Sequence, residues 1–182
     1  MRRLVLTLVA AMGLFGSVDR LGASDLDVVR FVVDVAEDFD GKFVSTPVNP
    51  ADTEPRRGSW FLTEGNIFPP YTIQGNGSTF DPGSPGAIGK WICRGTHLVS
   101  LTEILNGAPL WVATTQNYLL PGDNRMLTTD GREGSVPIVR AVTGGTGAFR
   151  GFVGEQHQEF LGLNAKNGVN LRVTFVLRRA AR

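Results

Sequence analysis

The segment that most constrains this chain is Ala141-Val142-Thr143-Gly144-Gly145-Thr146-Gly147-Ala148-Phe149-Arg150-Gly151. It closes an apolar run, Val136 to Val142, and opens a second one that ends in Gly154-Glu155. A glycine-rich link after a strand has two physical uses: it cradles a phosphate, or it bends the chain into the next strand. A phosphate cradle needs a helix behind the glycines, because the helix N-terminus supplies the N–H groups and the positive dipole end. Here Phe149-Arg150-Gly151-Phe152-Val153-Gly154 follows, which is poor helix material. No Lys-Ser or Lys-Thr closes the loop, and Arg150 stands where a dinucleotide fingerprint requires glycine. The link is therefore read as a bend, which glycine makes without steric penalty at positive φ.

The rest of the chain agrees with a β reading. Gly numbers 23 and Pro 10 in 182 residues, and charged residues make up only 19%. Such a mix suits short strands and many turns, while 42% apolar content excludes a disordered chain. The alternation predicts strands at Val28 to Phe39, Ser59 to Phe68, Lys90 to Leu101, Pro109 to Leu120, Arg125 to Asp130, Val136 to Thr143, Phe149 to Leu161 and Asn170 to Leu177. Pro47 to Gly58, rich in Pro, Asp, Glu and Arg, reads as an exposed loop, and Tyr71 to Gly89 as a turn-rich connection. No long stretch carries a clean helical period. Eight evenly spaced strands with turn residues between them define an all-β sandwich or a closed antiparallel barrel. The polar residues that recur on one strand face suit a barrel around a partly polar cavity.

The first 23 residues read as a signal peptide, with residues 24–182 forming one barrel domain. Arg2 and Arg3 precede an apolar stretch from Leu4 to Phe15, too short to span a bilayer. Cleavage after Ala23 would remove Arg2, Arg3, Arg20 and Asp19, turning the formal net charge of +1 into −1. That balance argues against nucleic-acid and membrane partners and leaves a secreted or periplasmic protein as the expectation. Cys93 is the single cysteine, so neither an internal disulfide nor a cysteine zinc cluster is available.

The stretch Arg140 to Gly151 followed by Gly154-Glu155 resembles the signature of the dirigent and allene oxide cyclase superfamily. Gly65-Asn66-Ile67-Phe68-Pro69, Ile88-Gly89-Lys90-Trp91-Ile92-Cys93-Arg94-Gly95, Leu161-Gly162-Leu163-Asn164 and Asn170-Leu171-Arg172-Val173-Thr174-Phe175 extend the likeness to bacterial members. The resemblance spans roughly residues 28 to 178. It implies an eight-stranded antiparallel barrel, commonly a homotrimer, that uses a mostly apolar cavity without metal or organic cofactor. Plant members cyclise an unstable epoxide or steer the coupling of phenoxy radicals. Their reacting residues do not match this chain position by position, so none is carried over.

The chemistry-bearing candidates come from the strands. Glu155, His157 and Glu159 share one face of a strand, where carboxylate and imidazole suit a proton shuttle or, less simply, a metal; the competing reading is a solvated outer face, with Gln156, Gln158 and Phe160 inside. Glu64 shares a face with Trp60 and Leu62, an apolar setting that would raise its pKa; the alternative is a carboxylate paired to a neighbouring arginine. His97 shares a face with Trp91 and Cys93, as a pocket base or as a core histidine. Arg94, Tyr118 and Arg172, with Tyr71 from a loop, are candidates for orienting a ligand, and Trp60 and Trp91 for walling it in. The expectation is a barrel that binds a small, mostly apolar organic molecule and catalyses a cofactor-free isomerisation or cyclisation, with Glu64, His97 and Tyr118 among the lining groups. Two alternatives stand beside it: a non-catalytic, dirigent-like guiding protein, and a structural barrel with a packed interior. A cavity of roughly 300 Å³ or more separates the first two from the third.

Overall fold

The structure, a computed structural model, describes residues 28–122 and 124–180. The proposed signal peptide lies outside the described residues. The strands are β1 (Val28–Glu37), β2 (Val44–Thr46), β3 (Trp60–Phe68), β4 (Gly89–His97), β5 (Leu110–Leu119), β6 (Met126–Gly134), β7 (Ile138–Gly145), β8 (Phe152–Leu163) and β9 (Val169–Arg179). Two short helices, α1 (Phe39–Lys42) and α2 (Leu101–Leu105), interrupt them.

Strand order is β1-β9-β8-β7-β6-β5-β4-β3, and β1 pairs with β3 to close an eight-stranded antiparallel barrel. The closing pairs run from Asp34↔Phe68 to Glu37↔Gly65. Further along the same edge of β3, β2 pairs from Val44↔Leu62 to Thr46↔Trp60. Thus β1 and β2 act as one strand interrupted by α1, and the Asp38 N–H, donating to the Glu64 carbonyl, bridges the gap.

The glycine link is the bend between β7 and β8. Its first glycines continue β7 past a bulge opposite Thr128 and Thr129, and a single 3-10 turn at Gly147–Phe149 then reverses the chain. Gly154 comes next, at φ 154°, where a Cβ would sit 2.1 Å from the Val176 carbonyl oxygen of β9. Neither strand can retreat without breaking the ladder. Gly154→Ala is therefore expected to cost about 2 kcal/mol or more, read as a lower urea midpoint at unchanged slope.

Alternation puts Val33, Val35, Leu127, Val173, Phe175 and Leu177 inside, and these fill one end of the barrel. The connection from Pro69 to Ile88 covers the outside of β1 and β9. Arg172 donates to both carboxylate oxygens of buried Asp34 (2.9 and 3.2 Å), and the Ile73 N–H donates to the same carboxylate (2.9 Å). Phe68, Ala36 and Ile73 form a second small core beneath the connection.

Candidate functional site

At the opposite end, where β1, β4, β6 and β8 finish, the barrel is hollow. A cavity of about 440 Å³ opens there. Its walls carry the aromatic rings of Phe39, Phe43, Phe61, Trp91, Trp111 and Phe160. The loop after β2 and helix α2 roof it with Asp52, Glu54, Leu101 and Ile104. The Leu101 N–H donates to the Pro55 carbonyl (3.3 Å), joining the two halves of the roof. Helix α2 is held by a capping box: the Ser100 hydroxyl accepts from the Glu103 N–H, and the Glu103 carboxylate accepts from the Ser100 N–H.

A polar layer lies below the cavity. Gln116 donates to Gln158 (3.1 Å), and Gln156 donates to Gln116 (3.0 Å), Gln158 (3.1 Å) and the Tyr118 hydroxyl (2.9 Å). These buried groups bond one another, leaving Gln156 Oε1 without a partner, and separate the cavity from the packed end. Burial pushes the Tyr118 phenol well above its usual pKa, so it stays protonated.

Two carboxyls face the cavity from the barrel strands, besides Asp52 and Glu54 in the roof. Glu37 ends the inward series Val29, Phe31, Val33, Val35 of β1, and its Oε2 accepts the Val169 N–H at 2.8 Å. Burial pushes its pKa up to about 7, more than that hydrogen bond pulls it down. Glu133 ends β6. Its Oε1 accepts from the Cys93 thiol (3.3 Å) and from the Thr114 hydroxyl, and lies 3.6 Å from Nη1 of buried Arg140. Burial and the nearby Glu133 push the Cys93 thiol up, which makes it a poor nucleophile.

His97 joins them. Its ring lies against Phe61 (centroids 5.2 Å apart), and both ring nitrogens lack a hydrogen-bond partner. Burial lowers its pKa, which favours the neutral imidazole with one donor and one acceptor free. Among the described residues, no cluster of three His, Cys, Asp or Glu side chains could hold a metal ion.

The cavity thus gathers Trp91 and His97 from the sequence candidates, with Tyr118 in the polar layer beneath. The others lie elsewhere. Glu64 sits on the outer face of β3 with Trp60, which is 43% exposed, because Phe61, Thr63 and Ile67 take the inner face. Arg94 is exposed on the outer face of β4. Glu155 and His157 pair at 3.1 Å on the exposed face of β8, with Glu159 beside them, while Gln156 and Gln158 point inward, the arrangement of the competing outer-face reading rather than of a proton shuttle in the cavity. Arg172 is bound to Asp34 outside the barrel and stacks over Tyr71, its Cζ 4.6 Å from the ring centroid. The loop from Pro47 to Gly58 is mostly exposed, as expected, but also roofs the cavity. Sequence reasoning passed over Glu37 and Glu133, although each ends an alternating series.

Solved structures share this eight-stranded antiparallel barrel. The chain matches the pterocarpan synthase dirigent protein PsPTS1 with a TM-score of 0.61 at 15% identity, over 86% of this chain and 97% of that one. The pterocarpan synthase dirigent protein GePTS1 matches with a TM-score of 0.59 at 13% identity, over 88% and 94%. A pyocyanin demethylase matches with a TM-score of 0.50 at 13% identity, over 80% and 98%. No family model matches the sequence, and no curated protein matches it. At these identities the likeness is one of fold: the chain folds as an eight-stranded antiparallel barrel like those structures.

Proposed function

We propose that this barrel binds a small, largely apolar organic molecule in the cavity and catalyses a cofactor-free proton transfer within it, as an isomerisation or cyclisation requires. The observation that carries the reading is Glu37: a buried carboxyl in an aromatic cavity, with a pKa of about 7 and no ion-pair partner among the described residues. A group poised near neutrality is suited to take a proton and to give it back. Its carboxylate accepts a proton from an acidic C–H or O–H of the ligand and returns it at a second atom, so no co-reactant is consumed. Neutral His97 positions a ligand oxygen or nitrogen through one ring nitrogen, and the roof excludes water.

The fold likeness to proteins named as dirigent supports a second reading, in which the cavity only orients a reactive molecule. The two separate on one variant. Native mass spectrometry of the purified protein should find a bound organic molecule. Glu37→Gln should still take up that molecule at saturating concentration and lower its conversion by about 10²- to 10⁴-fold. An unchanged product distribution and rate would leave the guiding role. Absence of binding by any apolar molecule in a thermal-shift screen would remove both. Export through the N-terminal segment and assembly into homo-oligomers complete the proposal, and both rest on the sequence alone.

A further inference from the structure

The charge on the cavity wall is one-sided. Glu37 and Glu133 line it from the strands, Asp52 and Glu54 from the roof, and among the described residues no Lys or Arg lines it. Two of these carboxylates have counter-charges behind the wall: Glu133 lies 3.6 Å from Arg140 Nη1, and Asp52 lies 3.1 Å from Arg56 Nε. The other two have none among the described residues. Glu37 is bonded by neutral groups, the Val169 N–H and the Thr63 side chain, and Glu54 accepts the Thr102 hydroxyl at 3.4 Å.

The remaining lining points the same way. Six aromatic rings line the cavity, and an aromatic ring attracts positive charge placed over its face. His97 also lines the cavity, and neither of its ring nitrogens has a hydrogen-bond partner. Buried polar atoms left unpaired in a hollow are groups for a ligand to satisfy. A purely apolar guest would bury Glu37 and Glu54 without compensation, and an anionic guest would meet repulsion from both.

We infer that the ligand is an organic cation, a planar aromatic molecule bearing a quaternary or protonated nitrogen, neutralised by Glu37 and Glu54 and held between the cavity's aromatic rings. This rests on the reading that the cavity is the ligand site, and it adds the charge of the guest.

The test compares three molecules of one shape: 1-methylquinolinium, its neutral counterpart 1-methylnaphthalene, and the anion 1-naphthoate. Their affinities for the full barrel are measured by calorimetric titration at about pH 8. The cation is expected to bind about tenfold tighter than the neutral molecule, and the anion most weakly. Glu37→Gln should erase most of that preference, weakening 1-methylquinolinium and tightening 1-methylnaphthalene, which no longer buries an uncompensated charge. Glu54→Gln, in the roof and outside the barrel wall, should narrow it by about threefold. Equal affinities, a preference for 1-naphthoate, or a cation preference untouched in both variants would overturn the inference and leave the cavity reading standing. Failure of all three molecules to bind would overturn both.

Discussion

Glu37→Gln should make the protein more stable above neutral pH, by about 3 kcal/mol at pH 8. The sign follows from linkage. The folded protein holds the Glu37 proton up to a pH of about 7, whereas a free carboxyl releases it near 4.5. Between those values the folded state binds more protons than the unfolded one, so the wild type loses stability as pH rises and levels off above 7. The glutamine variant carries no such titration, and its amide oxygen still accepts the Val169 N–H. In thermal unfolding followed by circular dichroism, the two proteins should diverge from about pH 5 upward, reaching roughly 10 °C at pH 8. A constant gap at pH 5 and pH 8 would mean that Glu37 ionises like an exposed carboxyl. The same group would then be a poor proton shuttle, so this measurement weighs on the proposed function without needing the ligand.

Arg140→Met is expected to have the opposite effect. Arg140 is 1% exposed and reaches across three strands: Nη1 donates to the Arg132 carbonyl (3.0 Å), Nη2 to the Thr114 carbonyl (2.9 Å), and Nη1 lies beside Glu133. Its removal strands a buried carboxylate and frees carbonyl oxygens in the wall of the cavity. The expected loss is about 3–5 kcal/mol in urea unfolding at neutral pH. Adding Glu133→Gln to that background should restore part of it, because the stranded charge is then gone. A double variant no more stable than Arg140→Met would assign the whole cost to packing and backbone contacts.

Much of the barrel was legible because turns and alternation are local properties. Each of the eight barrel strands overlaps the segment that alternation and turn residues predict, with β4 ending at His97 rather than Leu101 and β6 running on from Asp130 to Gly134, and the β7–β8 bend falls at its glycines. The short elements were not extracted. β2 has three residues, α1 four and α2 five, too few to impose a period. Yet Ser100-Leu101-Thr102-Glu103 is a capping-box pattern and announces α2. Strand facing was legible only where the two faces differ. On β8 the charged set Glu155, His157, Glu159 contrasts with Gln156 and Gln158, and the charged set lies outside. On β3 both faces carry aromatic and aliphatic side chains, Trp60 and Leu62 against Phe61 and Ile67. The choice then falls to pairing with β1 and β4, which is a tertiary fact. Glu64 was assigned to an apolar setting for that reason. Glu37 was within reach, as the last inward position after Val29, Phe31, Val33 and Val35. The roof was not, since a loop of Pro, Asp, Glu and Arg shows its partner only when the barrel closes beneath it.

Helix α1, β2 and the loop from Pro47 to Gly58 form one continuous insertion between β1 and β3, and most of the cavity's roof comes from it. Guest selection and scaffold are therefore encoded in separable stretches of sequence. A library confined to residues 47–58 would vary what enters the barrel while leaving the pairing of β2 on β3, the eight-strand ladder, the glutamine layer and Glu37 as they stand.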